Sequence, residues 1–259
     1  MSKKVFGLFQ RKTLDKPELA RRRIEKDVFL RNHYLHATLQ VRSLLSASPN
    51  SQILEVGAAG GVTKMFWPEV HTSDIRQDSE VDFVMAAEEI KFESNYLDGI
   101  FGIDALHHID DPVEHFREVS RVLKNGASAV YIDPNWNLFS KIIFRHVLKY
   151  IHPEPYDTDQ LGWIKESNDP TEGNQAMAYI IFVRDFDKFR DLFPNLHVEI
   201  LQPVKGLSFL FSGGVHTRTP IPGRLLWAFQ KWENNHNGWM NHFGLARLIR
   251  ITKYPKALP

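Results

Sequence analysis

Nine residues, Ile53-Leu54-Glu55-Val56-Gly57-Ala58-Ala59-Gly60-Gly61, join an apolar run, an acid and a turn of small residues. A second apolar run ends on an acid thirteen residues later, Asp74 in the segment His71-Thr72-Ser73-Asp74-Ile75. Small residues after a strand let the backbone approach a ligand closely. A carboxylate at the end of the following strand accepts hydrogen bonds from ribose hydroxyls. The chemistry implied is nucleotide binding at the edge of a parallel sheet. A third cluster, Asp104-Ala105-Leu106-His107-His108, closes another apolar run. It brings two imidazoles, groups that titrate near neutrality. Asp133, Asn135 and Trp136 follow the next run and complete the polar set.

The elements that must hold these residues follow from periodicity. Strand-like runs at 81–85, 97–104 and 127–132 alternate with helical patterns. In the helix opened by Asp111-Pro112, Val113, Phe116, Val119, Val122 and Leu123 recur at helical spacing, and Asn125-Gly126 ends it. The expected class is therefore α/β, with a doubly wound parallel sheet. Upstream, Leu19, Ile24, Val28, Leu35, Leu39 and Leu45 predict one helix over 17–47, with Pro17 near its start. Downstream, 179–183 (YIIFV) and 197–204 (HVEILQPV) read as strands flanking a helix, and these two would complete a seven-stranded sheet.

The order LEVGxxxG, acid after the second strand, LDGIxxxxALHHIxDP, helix, RVLKNG and strand over residues 52–135 resembles the class I S-adenosylmethionine-dependent methyltransferases. It is nearest to the branch acting on small molecules, quinones and sugars. The resemblance implies a seven-stranded, mostly parallel sheet and S-adenosylmethionine as cofactor, with S-adenosylhomocysteine as product. It implies that Glu55, Gly57, Ala58, Ala59 and Gly61 cradle the methionine and ribose part, with Ala59 where relatives usually have glycine. Asp74 matches the ribose-binding acid and Ile75 the residue beside adenine. Ala87 falls in AAEEI, where relatives often read D-x-x-x-L. Asp104 and Ala105 match the segment lining the methionine end. A dehydrogenase site, the main rival, keeps G-x-G-x-x-G with its acid about 20 residues on, and this chain has neither.

Methyl transfer to an alcohol needs the acceptor held in line and its proton removed. His108, at the tip of the strand facing the cofactor, is the expected base, with Asp133 as the alternative route for the proton. His107, Asn135, Trp136, Tyr34 on the leading helix and His152 in the Pro- and Asp-rich stretch after 151 are the candidate acceptor-binding residues. No metal site is expected. Phenylalanine-rich 209–211 and seven basic residues, Lys205 among them, are further candidates to meet an acidic acceptor.

The expected layout is a helical cover over 1–49 and a cofactor-binding core over 50–204. The core would carry an acceptor lid at about 136–176, and a basic, aromatic extension would follow over 205–259. The absence of cysteine removes disulfides and thiolate chemistry from consideration. Net charge is +6 over residues 1–31, −12 over 32–200 and +7 over 201–259. The basic ends suit a phosphorylated substrate or an anionic membrane face. No signal peptide or membrane-spanning run is expected, which suggests a cytoplasmic enzyme, with contact at the inner membrane face a possibility for the basic C-terminus. The functional expectation is O-methylation of a small-molecule or glycan-linked acceptor, as in polysaccharide or glycolipid assembly. The alternatives are a lipid or quinone methyltransferase at the membrane, or a protein that binds S-adenosylmethionine without turning it over. Nucleic acid is not an expected partner.

Overall fold

Apolar strands that alternate with amphipathic helices can bury both faces only in a layered sheet. The computed structural model describes residues 17–77, 81–148, 154–165, 169, 172–215 and 219–255. Its seven strands are β1 (Ile53–Val56), β2 (His71–Asp74), β3 (Phe83–Val84), β4 (Leu97–Ile103), β5 (Leu123–Pro134), β6 (Leu196–Val204) and β7 (Ala246–Lys253). They lie in the order β3-β2-β1-β4-β5-β7-β6. The first five pair in parallel, and β7 is antiparallel to both its neighbours. β6 therefore runs the same way as β5. The carboxyl ends of β1, β2, β4, β5 and β6 share one edge, where ligands bind in open α/β sheets.

Two layers cover the sheet. On one face α1 (Pro17–Lys26) and α2 (Val28–Leu44) lead the chain in. Ala37, Val41 and Leu45 at the end of this layer pack on Ile53, Phe101, Val130 and Leu248. On the other face α3 (Pro112–Val122), α5 (Met177–Tyr179, continued as one wider turn to Arg184) and α6 (Phe186–Leu192) enclose a core around Phe116, Tyr131, Phe182 and Phe189. Between these, α4 (Leu138–Ile142) extends β5 outward. At the carboxyl edge α7 (Leu207–Ser212), α8 (Gly223–Asn234) and α9 (Asn237–Phe243) close the structure. Among the described residues no helix is long and apolar enough to cross a membrane.

Three sequence expectations are corrected. The helix expected over 17–47 is two helices. Asp27 adopts extended backbone and its Oδ1 accepts from the amides of Phe29 and Leu30 at 2.9 and 3.1 Å, so it ends α1 and caps α2. Tyr179–Val183 is helical, not a strand. Ile180, Ile181 and Phe182 are all buried, and a short run apolar on every side carries no period to distinguish the two. The strand that completes the sheet is instead β7. The stretch 205–259, expected as an extension, thus supplies the strand between β5 and β6.

Candidate active site

The chain leaves β1 through backbone that favours glycine. Gly57, Ala59 and Gly61 have φ of +67°, +47° and +62°. A Cβ on Gly57 would stand 2.7 Å from that of Ala105, so the turn lies directly against the tip of β4. Ala59 accepts the strain of a left-handed alanine. Its amide donates to Asp74 Oδ2 at 2.9 Å, which ties the turn to β2. Beneath the turn Glu55 is buried. Its Oε1 accepts from Thr63 Oγ1 at 2.8 Å, and its Oε2 has no partner. Burial, with a smaller push from Asp74, raises its carboxyl to about 7 against the bond from Thr63.

Asp74, at the end of β2, is also buried, which by itself would raise its pKa. The guanidinium and amide of Arg76 and the amide of Ala59 overcome that and hold it below the usual carboxylate value. Arg76 Nε and Nη2 lie 3.0 and 3.3 Å from the two carboxylate oxygens. The side chain of Arg76 thus covers the Asp74 carboxylate. Ile75, beside it, is half exposed. Ala87 offers backbone only, and its carbonyl accepts from His115 Nδ1 at 2.8 Å. The acid after it, Glu88, is spent on the amides of Asp110 and Asp111.

At the tip of β4, Asp104 has φ +54° and pairs with Lys205, which leaves β6 at φ +55°. Burial pushes the carboxyl of Asp104 up, but Lys205 prevails and holds it down. The two histidines then diverge. His107 turns inward, its Nδ1 donating to Asp133 Oδ1 at 2.5 Å, while the amides of Leu106 and His107 donate to the same carboxylate at 3.1 and 3.2 Å. Burial lowers the pKa of His107, but Asp133 outweighs it and the ring protonates more readily than usual. His108 turns toward the segment 172–175, with its Nδ1 3.2 Å from the Glu172 carbonyl. Burial and the neighbouring His107 push it down to about 3.

Of the acceptor candidates, Asn135 is consumed by the fold. Its amide donates to Gly244 O at 2.8 Å and accepts from Arg247 and from the Trp136 amide. Its buried side chain fixes the start of β7 and has no face toward a ligand. Trp136 packs on the core beneath the Arg247 guanidinium. Tyr34 does reach the site. Burial and the charge of Asp104 raise its hydroxyl pKa, and it packs with Ile24, Phe29, Leu30 and Phe209 over the glycine turn. Arg21 Nη1 donates to the Gly60 carbonyl at 3.3 Å, so α1 also meets that turn. His152 lies outside the described residues. The stretch after it packs onto the β4 tip: the Asn174 amide donates to His107 O at 3.1 Å, and a Cβ on Gly173 would stand 2.1 Å from that oxygen.

Sequence reasoning underweighted Lys205, Thr63, Arg76, His33 and Gln230. Lys205 stood among seven scattered cations, and nothing local marked it as the one that meets Asp104. Among the described residues no group of His, Asp or Glu is arranged to hold a metal ion. The arrangement does fit the nucleoside-methionine cofactor. An unpartnered buried carboxylate oxygen lies under a glycine turn, and an ionised acid stands at the end of β2. Asp104 and Ala105 close the same edge.

Comparisons with known proteins agree with this fold. Residues 54–131 match the family model described as a methyltransferase domain. No curated protein sequence matches the chain. Among solved structures, a chain from the Haloferax volcanii complex of the Trm112 methyltransferase activator with a proposed methyltransferase is 14% identical, with a TM-score of 0.51 over 96% of this chain and 99% of that one. The YcgJ protein of Bacillus subtilis is 19% identical, with a TM-score of 0.48 over 86% and 99%. The geranyl diphosphate C-methyltransferase of Streptomyces coelicolor is 14% identical, with a TM-score of 0.49 over 84% and 78%. The first of these shows the same fold.

Proposed function

We infer that this chain, which matches a methyltransferase domain over residues 54–131, is a class I S-adenosylmethionine-dependent methyltransferase that transfers the methyl group to an oxygen of a small-molecule or glycan-linked acceptor, with His107 as the base. The observation that carries this reading is the buried His107–Asp133 pair beside Asp104. When bound, S-adenosylmethionine supplies a methyl carbon made electrophilic by its sulfonium sulfur. The protein then has three tasks.

Glu55, the turn 57–61, Asp74, Asp104 and Ala105 hold the cofactor, with Ile75 and Ala87 beside its base. Asp74 takes the ribose hydroxyls once the Arg76 side chain moves aside. His107, its Nδ1–H fixed on Asp133, presents Nε2 as the acceptor of the substrate's hydroxyl proton, and Asp133 stabilises the imidazolium that results. The base anticipated at His108 passes to its neighbour. A ring with a pKa near 3 is a weak base, and the Asp133 carboxylate is occupied by His107. The third task is exclusion of water, which falls to α1, α2 and the stretch 172–175 packed over the carboxyl edge.

A second reading has one observation behind it. Residues 201–259 contain a single acid, Glu233, and it is fully buried. There it accepts from Leu207 N and from Ser208 N and Oγ at the start of α7. The outward side of α8 then shows Arg224, Leu225, Lys231 and Trp232, a composition suited to an anionic lipid surface. Pelleting with phosphatidylglycerol vesicles tests it.

The primary reading is tested by incubating the protein with methyl-labelled S-adenosylmethionine and pools of hydroxyl or amine acceptors. Label on hydroxyl acceptors that disappears in His107→Ala supports it. Label on amines with His107→Ala fully active would overturn it, and cofactor binding without label on either pool would favour the non-catalytic reading.

A further inference from the structure

A nucleoside-methionine cofactor is long enough to lie across several strand tips. Asp74 ends β2, the glycine turn follows β1 and Asp104 follows β4, and these three strands are neighbours in the order β2-β1-β4. With the ribose at Asp74 and the molecule laid across the turn, its amino-acid end comes to Asp104, two strand spacings or about 10 Å away. The turn and that tip are in contact, since a Cβ on Gly57 would stand 2.7 Å from that of Ala105. The nucleoside is neutral, whereas the amino-acid end carries an α-ammonium and an α-carboxylate.

The pair that Asp104 forms with Lys205 is lopsided. The lysine side chain is 6% exposed and the aspartate side chain 41%. Lys205 Nζ bonds Asp104 Oδ2 and lies 5.3 Å from the centre of the Phe209 ring, so the pair turns its acid outward and buries its base. Both residues hold left-handed backbone, which any residue but glycine adopts at a cost. The lysine is fixed on either side. Leu245 N donates to its carbonyl at 2.9 Å, and a Cβ on the following Gly206 would collide with the Glu233 carboxylate. The other groups facing Asp104 are His33 and Tyr34 of α2 and His107 and His108 of its own turn. Burial above all holds His33 and His108 down to about 3, and His107 donates from Nδ1 to Asp133. Of these groups Lys205 is the permanent cation.

We propose that Lys205 is a positioning residue for the cofactor: it holds the Asp104 carboxylate by Oδ2 and leaves Oδ1 to bind the α-ammonium of the methionine end. Without the lysine, the protein packed around Asp104 would favour the protonated acid, which offers an ammonium no charge. Lys205 stands 101 residues from Asp104 and outside residues 54–131, so a segment beyond the matched domain completes its cofactor site. The inference rests on the S-adenosylmethionine reading and adds a residue to it.

The test is calorimetric binding of two probes to the full chain between pH 5.5 and 8.5. S-adenosylhomocysteine carries the amino-acid end, and methylthioadenosine is a nucleoside thioether without it. The variants are Lys205→Met, Lys205→Arg, Asp104→Asn and the double variant Asp104→Asn/Lys205→Met, which leaves neither charge unpaired. Thermal melting confirms that each folds. The wild type should bind S-adenosylhomocysteine about tenfold or more tighter than methylthioadenosine. Lys205→Met should lose about tenfold or more of the S-adenosylhomocysteine affinity at pH 5.5. The ratio of its Kd to that of the wild type should then fall as pH rises and Asp104 ionises. Titration of Glu55 and His107 is common to both proteins and cancels in that ratio. Lys205→Arg should restore the wild-type profile, whereas Asp104→Asn and the double variant should bind S-adenosylhomocysteine weakly at every pH. Methylthioadenosine should bind every variant within about twofold of the wild type. Lys205→Met with wild-type S-adenosylhomocysteine affinity at every pH would overturn the proposal. So would equal losses of both probes, the mark of a purely structural lysine, or a double variant that binds as the wild type does. A wild type that binds neither probe would instead overturn the cofactor reading on which the proposal depends.

Discussion

Replacing Glu55 with glutamine should make the protein more stable at pH 8 and nearly indifferent at pH 5. In the folded state the carboxyl is buried under the glycine turn with one oxygen bonded to Thr63 and the other unpartnered, and its pKa is raised from 4.5 to about 7. A group whose pKa is raised on folding contributes stability that is fully present below its unfolded value. That stability is lost as pH rises through the folded value. Linkage over this shift removes about 0.8 kcal/mol by pH 5 and about 3.3 kcal/mol by pH 8, a difference of roughly 2.5 kcal/mol. Glutamine keeps the acceptor for Thr63 and cannot ionise, so Glu55→Gln should gain about that difference between the two pH values. Urea denaturation of both proteins at pH 5, 6, 7 and 8, read by tryptophan fluorescence, measures it. His107 also has a raised pKa and also loses stability with rising pH, whereas His33, His108 and His115, with lowered values, do the reverse. These effects are common to both proteins and cancel in the difference. If the two stability curves stay parallel from pH 5 to 8, Glu55 is not a buried carboxyl under strain. Its free oxygen then does not await a donor from the cofactor.

Other expected outcomes follow from the same geometry. His107→Ala should lower turnover by about 10²–10⁴-fold while S-adenosylhomocysteine affinity is kept. In the wild type the rate should rise with pH through the raised His107 value. His108→Ala should keep that pH profile, because burial and His107 push the His108 pKa down, away from that of His107, and a profile lost only in His108→Ala would reverse the assignment. Asp74→Ala should weaken S-adenosylhomocysteine by roughly 1.5–3 kcal/mol, the scale of charge-assisted hydrogen bonds, and calorimetry on the folded variant checks it. Ala59→Gly should raise stability by about 1 kcal/mol by releasing a left-handed alanine, and no gain in thermal or urea denaturation would show that the turn carries no such strain.

The glycine turn, the acid at Asp74 and the tip at Asp104–His108 were legible in the sequence. Each is a local matter of backbone conformation and spacing: Gly57 and Gly61 stand where φ is positive, and Asp74 ends the strand after the turn. The α/β class and the parallel order of β1, β2, β4 and β5 followed from the same alternation. Partnership was not legible. Neighbours in sequence, His107 and His108 look equivalent until β5 brings Asp133 to one of them. Lys205 meets Asp104 across 101 residues, and Gln230 meets His33 across 197. Asn135 looked free for a ligand until β7 bonded it to Gly244. The helix at 180–182 and the strand at 246–253 were hidden for a related reason: a segment buried on every side shows no period, and its place is set by the surfaces around it. Sequence fixes the backbone that a residue and its neighbours adopt, whereas pKa, burial and hydrogen-bond completion are properties of whichever distant segment packs against the side chain.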